Sequence, residues 1–134
     1  MGRTREHSRG GWILVVEDDE DTRAEVRAAL EEQGYAVVEA RNGREALDIV
    51  FGENPPDVRL VITDIYMPEM SGFELLDVLS AYYRPSRIPF VVVSVSPRRS
   101  TSQPGVVGWL EKPFDVDALL ALVRSQVAPL TPQP

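Results

Sequence analysis

The chain has no cysteine, a single lysine, a single histidine and no long apolar run. Without Cys there can be no disulfide, no thiolate metal site and no Cys nucleophile. The same lack fits a reducing compartment, and a cytoplasmic location is expected. The longest apolar runs, Trp12–Val16 and residues 90–93, are far too short to cross a bilayer, so no membrane association is expected. The first eleven residues, MGRTREHSRGG, carry Arg3, Arg5 and Arg9 but no apolar stretch, which excludes a signal peptide. Residues 1–11 are polar and aperiodic and read as a disordered arm or a cloning remnant. His7 lies there and reads as a solvated residue without a chemical role. The first apolar run is not followed by a Gly-rich turn, which argues against a dinucleotide binder.

What is present is acidic and globular. Asp plus Glu number 21 against 14 Lys plus Arg, a net charge of −7. Such a chain repels phosphate backbones, so direct nucleic-acid binding is not expected. Among the 14 cations Lys112 is the only lysine. Arg serves wherever a generic positive charge suffices, so a retained Lys points to a place that needs a compact ammonium; chance under the composition bias is the other reading. At 134 residues the chain is the length of one domain. Hydrophobic residues at 43% and charged residues at 26% are ordinary globular values, which exclude a disordered tail protein or a collagen-like chain.

The apolar pattern alternates between two periods. Trp12–Val16 is an all-apolar run and predicts a strand buried on both faces. An acidic cluster, residues 17–21, follows, and then an amphipathic helix carrying Val26, Ala29, Leu30 and Gln33 on one stripe and stopped by Gly34. Thr22 with Glu25 predicts its capping box. Further strands are predicted at 35–39, 58–63, 88–93 and 106–110. Helices are predicted from Asn42 to about Phe51, from a Ser71/Glu74 capping box to about Tyr83, and from an Asp115 cap through Val127. Strands alternating with helices give an α/β fold with a parallel sheet. Five such units fit a doubly wound sheet and are too few for an eight-fold barrel.

In an open doubly wound sheet, ligands bind beyond the carboxyl ends of the strands. Glu17 and Asp18 stand there after the first strand, Asp64 after the third, Ser94 after the fourth and Lys112 after the fifth. Each has an ordinary reading: a solvated helix start for the acidic run, turn residues for the others. Together they form an oxygen-lined, mostly anionic set that suits a hard cation such as Mg²⁺. The added hydroxyl and ammonium are what a phosphoryl group needs once a metal is present.

Residues 12–127 resemble the CheY-like receiver domain of two-component response regulators. The resemblance rests on Ile13-Leu-Val-Val-Glu-Asp18, Val61-Ile-Thr-Asp64-Ile-Tyr-Met67-Pro-Glu-Met-Ser-Gly72, Ile88-Pro-Phe-Val-Val-Val-Ser94 and Trp109-Leu-Glu-Lys112-Pro-Phe114. It implies a flavodoxin-like five-stranded sheet in the order 2-1-3-4-5. It implies that Asp64 accepts a phosphoryl group from a histidine kinase or a phosphotransfer protein. Asp18 would then bind Mg²⁺ directly, Glu17 through water, and the main-chain carbonyl of Tyr66 would be another ligand beside Asp64. Lys112 would pair with phosphoryl oxygens, Ser94 would hydrogen-bond one of them, and Ser94 with Trp109 would form the switch. Met67-Pro68 would turn the loop, and Gly72 would allow the third helix to start close by. Asp19 falls one step past the acidic pair and is left out of the ligand set.

The resemblance further implies a signalling module that catalyses only its own phosphorylation and dephosphorylation. It would regulate an unnamed effector protein as a monomer or a phosphorylation-dependent dimer. Three departures stand out. Val95 replaces a small residue and would narrow access to the phosphate. Trp109 replaces a Tyr or Phe. Eighteen positions separate Ser94 from Lys112, short of the usual receiver by about four residues, one helical turn. With Pro97, Pro104 and Gly105 in that span, a short or irregular fourth helix is expected. Residues 128–134 read as a Pro-rich tail, with no room for an output domain, so the receiver is either stand-alone or part of a longer protein. Two other readings stay open. One is a degenerate receiver serving as an interaction module without phosphotransfer. The other is a phosphohydrolase with an Asp nucleophile, although Tyr66 stands where such an enzyme usually places a second Asp.

Overall fold

Five apolar runs become five parallel strands, and helices carry the chain back between the first four. The computed structural model describes residues 11–82, 88–95 and 105–129. Its elements are β1 (Trp12–Val16), α1 (Glu20–Glu32), β2 (Ala36–Ala40), α2 (Gly43–Val50), β3 (Val58–Thr63), α3 (Gly72–Tyr82), β4 (Phe90–Ser94), β5 (Val106–Glu111) and α4 (Val116–Gln126). The sheet runs β2-β1-β3-β4-β5, the expected doubly wound order. The expected irregular fourth helix falls on residues 96–104, outside the described residues, as do residues 1–10 of the arm and the tail from residue 130.

The central strands β1, β3 and β4 are almost wholly buried, while the edge strands β2 and β5 are largely half-exposed. Successive side chains point to opposite faces, so each central strand feeds two cores. Ile13 and Val15 pack with Val26, Leu30, Leu119 and Val123 on the α1/α4 face. Leu14 and Val16 pack with Ala46, Val50, Leu75 and Leu79 on the α2/α3 face. Each such Val, Leu or Ile side chain, fully buried, contributes roughly 1.5–3 kcal/mol.

The helix ends are set by local chemistry. Asp19, not Thr22, caps α1: the Thr22 N–H and hydroxyl both donate to its carboxylate. Asp is as good a cap as Thr, and a start three residues earlier places Glu20 and Asp21 at the positive helix end. At the other end Gly34 adopts φ +91°, and the N–H groups of Gly34 and Tyr35 donate to the carbonyls of Glu31 and Leu30. That closes the helix in a Schellman turn, which favours glycine at the left-handed position. Asn42 caps α2 and Asp115 caps α4, as expected. The Ser71/Glu74 capping box is formed in both directions, at 2.8 and 3.1 Å. Strand bounds shift slightly: β2 is 36–40 rather than 35–39, and β4 is 90–94 rather than 88–93. The Tyr35 side chain is withdrawn from the strand pattern, because its hydroxyl donates to the Val127 carbonyl at the end of α4, 3.1 Å away.

Register brings the strand ends level. Val16 pairs with Ala40 on one side and Thr63 on the other, and Ser94 pairs with Glu111. The residues that follow, Glu17, Asp64 and Lys112, therefore emerge on one rim of the sheet.

Candidate functional site

Glu17 continues the β1 ladder, its N–H donating to the Ala40 carbonyl at 3.0 Å, and Asp64 continues β3, its N–H donating to Val16 at 3.2 Å. Strand continuation holds both carboxylates in the interior: Glu17 is 4% and Asp64 7% exposed. Asp18 sits between them and faces solvent. Glu17, Asp18 and Asp64 can each place one oxygen within 4.8 Å of the others'. Asp19 is not in this group, and its carboxylate is spent on capping α1.

Lys112 reaches this cluster from the end of β5. Its Nζ donates to Glu17 Oε1 at 2.8 Å and to Asp64 Oδ2 at 2.9 Å. The Lys112 N–H donates to the Ser94 carbonyl at 2.7 Å, so β4 sets the height of the ammonium. The single lysine thus has the specific place its retention suggests. Arg could not fill it with the same compact charge. Three carboxylates against one ammonium leave two negative charges, the amount a divalent cation neutralises. The Lys112–Pro113 peptide is cis.

The electrostatics are strained in both directions. Burial pushes the Glu17 carboxyl above its ordinary value and the Asp64 charge adds to that, while hydrogen bonds from Lys112 and the Asp19 N–H oppose them. Burial alone would lower the Lys112 ammonium, but the bonds to Glu17 and Asp64 outweigh it and hold it above the usual lysine value.

The loop after Asp64 is held from several sides. Asp64 Oδ1 accepts from the Tyr66 N–H at 3.1 Å, and the Asp64 carbonyl accepts from the buried Thr63 hydroxyl at 2.8 Å. The Tyr66 side chain itself is exposed. The Gly72 N–H donates to the Ile65 carbonyl at 2.9 Å. Glu69 takes a left-handed φ of +72° as the chain turns after Met67-Pro68, and Met67 and Met70 pack against the α2/α3 core. Ser94 is fully buried at the end of β4. Trp109 is half-buried, its ring 6.2 Å from that of Phe73 on α3 at an angle of 48°. A groove of about 300 Å³ opens beside Lys112, lined by Thr22, Glu25, Val95, Lys112, Pro113 and Phe114. Val95 stands exposed on it.

Sequence reasoning overlooked Thr63 and Arg23. The Arg23 guanidinium donates to the Glu17 carbonyl at 2.8 Å. A cation in the first turn of a helix opposes the dipole, and that was the available signal.

The family model for the response regulator receiver domain matches residues 13–124. Response regulator MprA of Mycolicibacterium vanbaalenii is 36% identical over 124 residues, 90% of this chain and 52% of MprA, so the chain spans about half of that relative. An uncharacterized 14.6 kDa protein of the sodA1 3′ region of Leptolyngbya boryana is 36% identical over 84% of this chain and 86% of its own length. Among solved structures, the receiver domain of the hybrid histidine kinase CckA is 34% identical with a TM-score of 0.72, covering 87% of this chain and 98% of that one. The response regulator TrrA of Thermotoga maritima, solved in complex with Mg²⁺-BeF, is 30% identical with a TM-score of 0.74, covering 86% and 97%. No helix among the described residues is long and apolar enough to cross a membrane.

Proposed function

This chain belongs to the response regulator receiver family, and from that premise we propose that Asp64 takes a phosphoryl group from a phosphohistidine, on a sensor histidine kinase or a phosphotransfer protein. The family is one of signalling modules, and the chemistry proposed is the protein's own modification and its reversal. The Lys112 ammonium bridging Glu17 and Asp64 carries this reading. It holds the nucleophile in one orientation, with the Tyr66 N–H fixing the other oxygen. An Asp64 oxygen attacks phosphorus in line, the P–N bond of the donor breaks, and the imidazole nitrogen keeps the electron pair. Lys112 then follows the charge onto the phosphoryl oxygens, with the Ser94 hydroxyl as a second donor to them. The groove beside Lys112 gives the donor its approach.

The oxygen-only donor set of Glu17, Asp18 and Asp64 fits Mg²⁺, and exposed Asp18 leaves room for water ligands. Asp18 and Asp64 would hold the ion directly, with the Tyr66 main-chain carbonyl, and Glu17 through water. When bound, Mg²⁺ draws negative charge from the transferring oxygens. The unit that does this is residues 12–127. The phosphorylated form regulates a partner protein through Ser94 and the segment leading to Trp109. Intact mass after incubation with Mg²⁺ and a small acyl phosphate tests the reading. One phosphate on the wild type and none on Asp64→Asn supports it. No addition to either supports a phosphorylation-independent interaction module, and continuous turnover of the donor supports a hydrolase.

A further inference from the structure

Arg23 stands in the first turn of α1, beside Glu20 and Asp21, where a cation gains nothing from the helix dipole. Its side chain is nonetheless only 12% exposed. Nε donates to the Glu39 carboxylate on β2 at 3.1 Å, and Nη1 donates to the Glu17 main-chain carbonyl at 2.8 Å. Arg27 donates to the other Glu39 oxygen, so Glu39 is braced from two turns of α1. The Arg23 guanidinium therefore spans from the edge strand to the last peptide of the β1 ladder.

That peptide joins Glu17 to Asp18. This peptide is planar, so fixing its carbonyl fixes where the Asp18 Cα lies, and the hold on the Asp19 N–H beyond limits the rotation that would swing the Asp18 side chain away. Its neighbours are already held: the Glu17 N–H by Ala40, the Asp19 N–H by the Glu17 carboxylate at 3.1 Å, and the Asp19 side chain by the α1 cap. Among the described residues the Asp18 carboxylate accepts no hydrogen bond, so its aim rests on its backbone. We infer that Arg23 is a positioning residue for the cation site: braced by Glu39, it clamps the Glu17–Asp18 peptide and keeps exposed Asp18 within reach of Asp64. This rests on the reading of the cluster as a Mg²⁺ site.

The sign of the effect separates positioning from charge. By Coulomb repulsion alone, removing a cation beside the site strengthens Mg²⁺ binding. Positioning predicts the reverse. Mg²⁺ is titrated into the full chain and followed by the backbone amide shifts of Asp18 and Tyr66, with a metal-free thermal melt showing that each variant is folded. Arg23→Gln raises the Mg²⁺ Kd about tenfold, the scale on which groups that orient metal ligands act. Arg23→Lys stays folded and gives a smaller loss, because an ammonium cannot span both acceptors in the geometry of the fork. Arg27→Gln removes an equal charge from the same Glu39 without touching Glu17, and so raises Kd by much less than Arg23→Gln. Unchanged or tighter binding by Arg23→Gln overturns the inference, and so does an equal loss in Arg27→Gln. Wild-type protein that binds no Mg²⁺ overturns the metal reading itself, an outcome distinct from both.

Discussion

A Cβ placed on Gly72 would lie 2.4 Å from the Asp64 main-chain carbonyl oxygen. The start of α3 is thus pressed against the backbone of Asp64, and only a hydrogen fits between them. Gly72→Ala forces the two apart, and overpacking of this kind costs about 1–3 kcal/mol. Urea denaturation reads that loss. The same variant takes up phosphate more slowly from an acyl phosphate, since Asp64 itself is displaced.

Mg²⁺ binding only the native state raises its stability, by about 2.7 kcal/mol at a hundred times Kd. Thermal melts with and without the ion should separate for the wild type and converge for Asp18→Asn. A wild-type melting point indifferent to Mg²⁺ removes the ground for an assembled site.

Lys112→Met leaves Glu17 and Asp64 facing each other with the shared ammonium gone. Leaving such buried charges without their partner costs roughly 3–5 kcal/mol. The pH dependence carries a sign that is unusual for a carboxylate. The Glu17 carboxyl is raised in the folded protein by burial, above its ordinary 4.5. At this group the native state then binds a proton more tightly than the unfolded chain, so the Glu17 contribution to stability grows as pH falls from neutral toward 4.5. Losing Lys112 removes a bond that lowers this pKa, so the rise is steeper in Lys112→Met than in wild type. Urea midpoints across that range check it, and a steeper fall in the variant than in wild type would contradict it.

The indole N–H of Trp12 is buried and, among the described residues, has no hydrogen-bond partner. Trp12→Phe gives up some packing but also an unpaired donor whose burial costs about 1–3 kcal/mol, so a small net change is expected by denaturant titration. The variant leaves Trp109 as the only indole. Trp109 already packs against Phe73, and its N–H needs a partner wherever the ring goes. Its emission should therefore shift little on phosphorylation. A large blue shift would mean that the ring turns inward.

Some residues of this site announce themselves in the sequence and others do not. Asp64 and the Glu17–Asp18 pair each end an apolar run, so strand logic alone puts them on the rim. Lys112 is legible because no other lysine competes with it. Arg23 is not, because its meaning depends on Glu39, a strand away and brought alongside only by the β1–β2 register. The α1 cap was misread for a related reason: Asp19 and Thr22 both suit the position, and the choice depends on where β1 releases the chain. Gly72 could be expected in a tight turn, but its contact with the Asp64 carbonyl exists only in three dimensions.

The bond from the Tyr35 hydroxyl to the Val127 carbonyl anchors the chain just past α4. It ties the foot of α4 to the turn before β2, at the pole of the sheet opposite Asp64. A fluorescent reporter joined beyond residue 129 would hang from that pole, clear of any donor docking at the acidic rim. Donor access could then be followed in a tagged protein without the tag competing for the same surface.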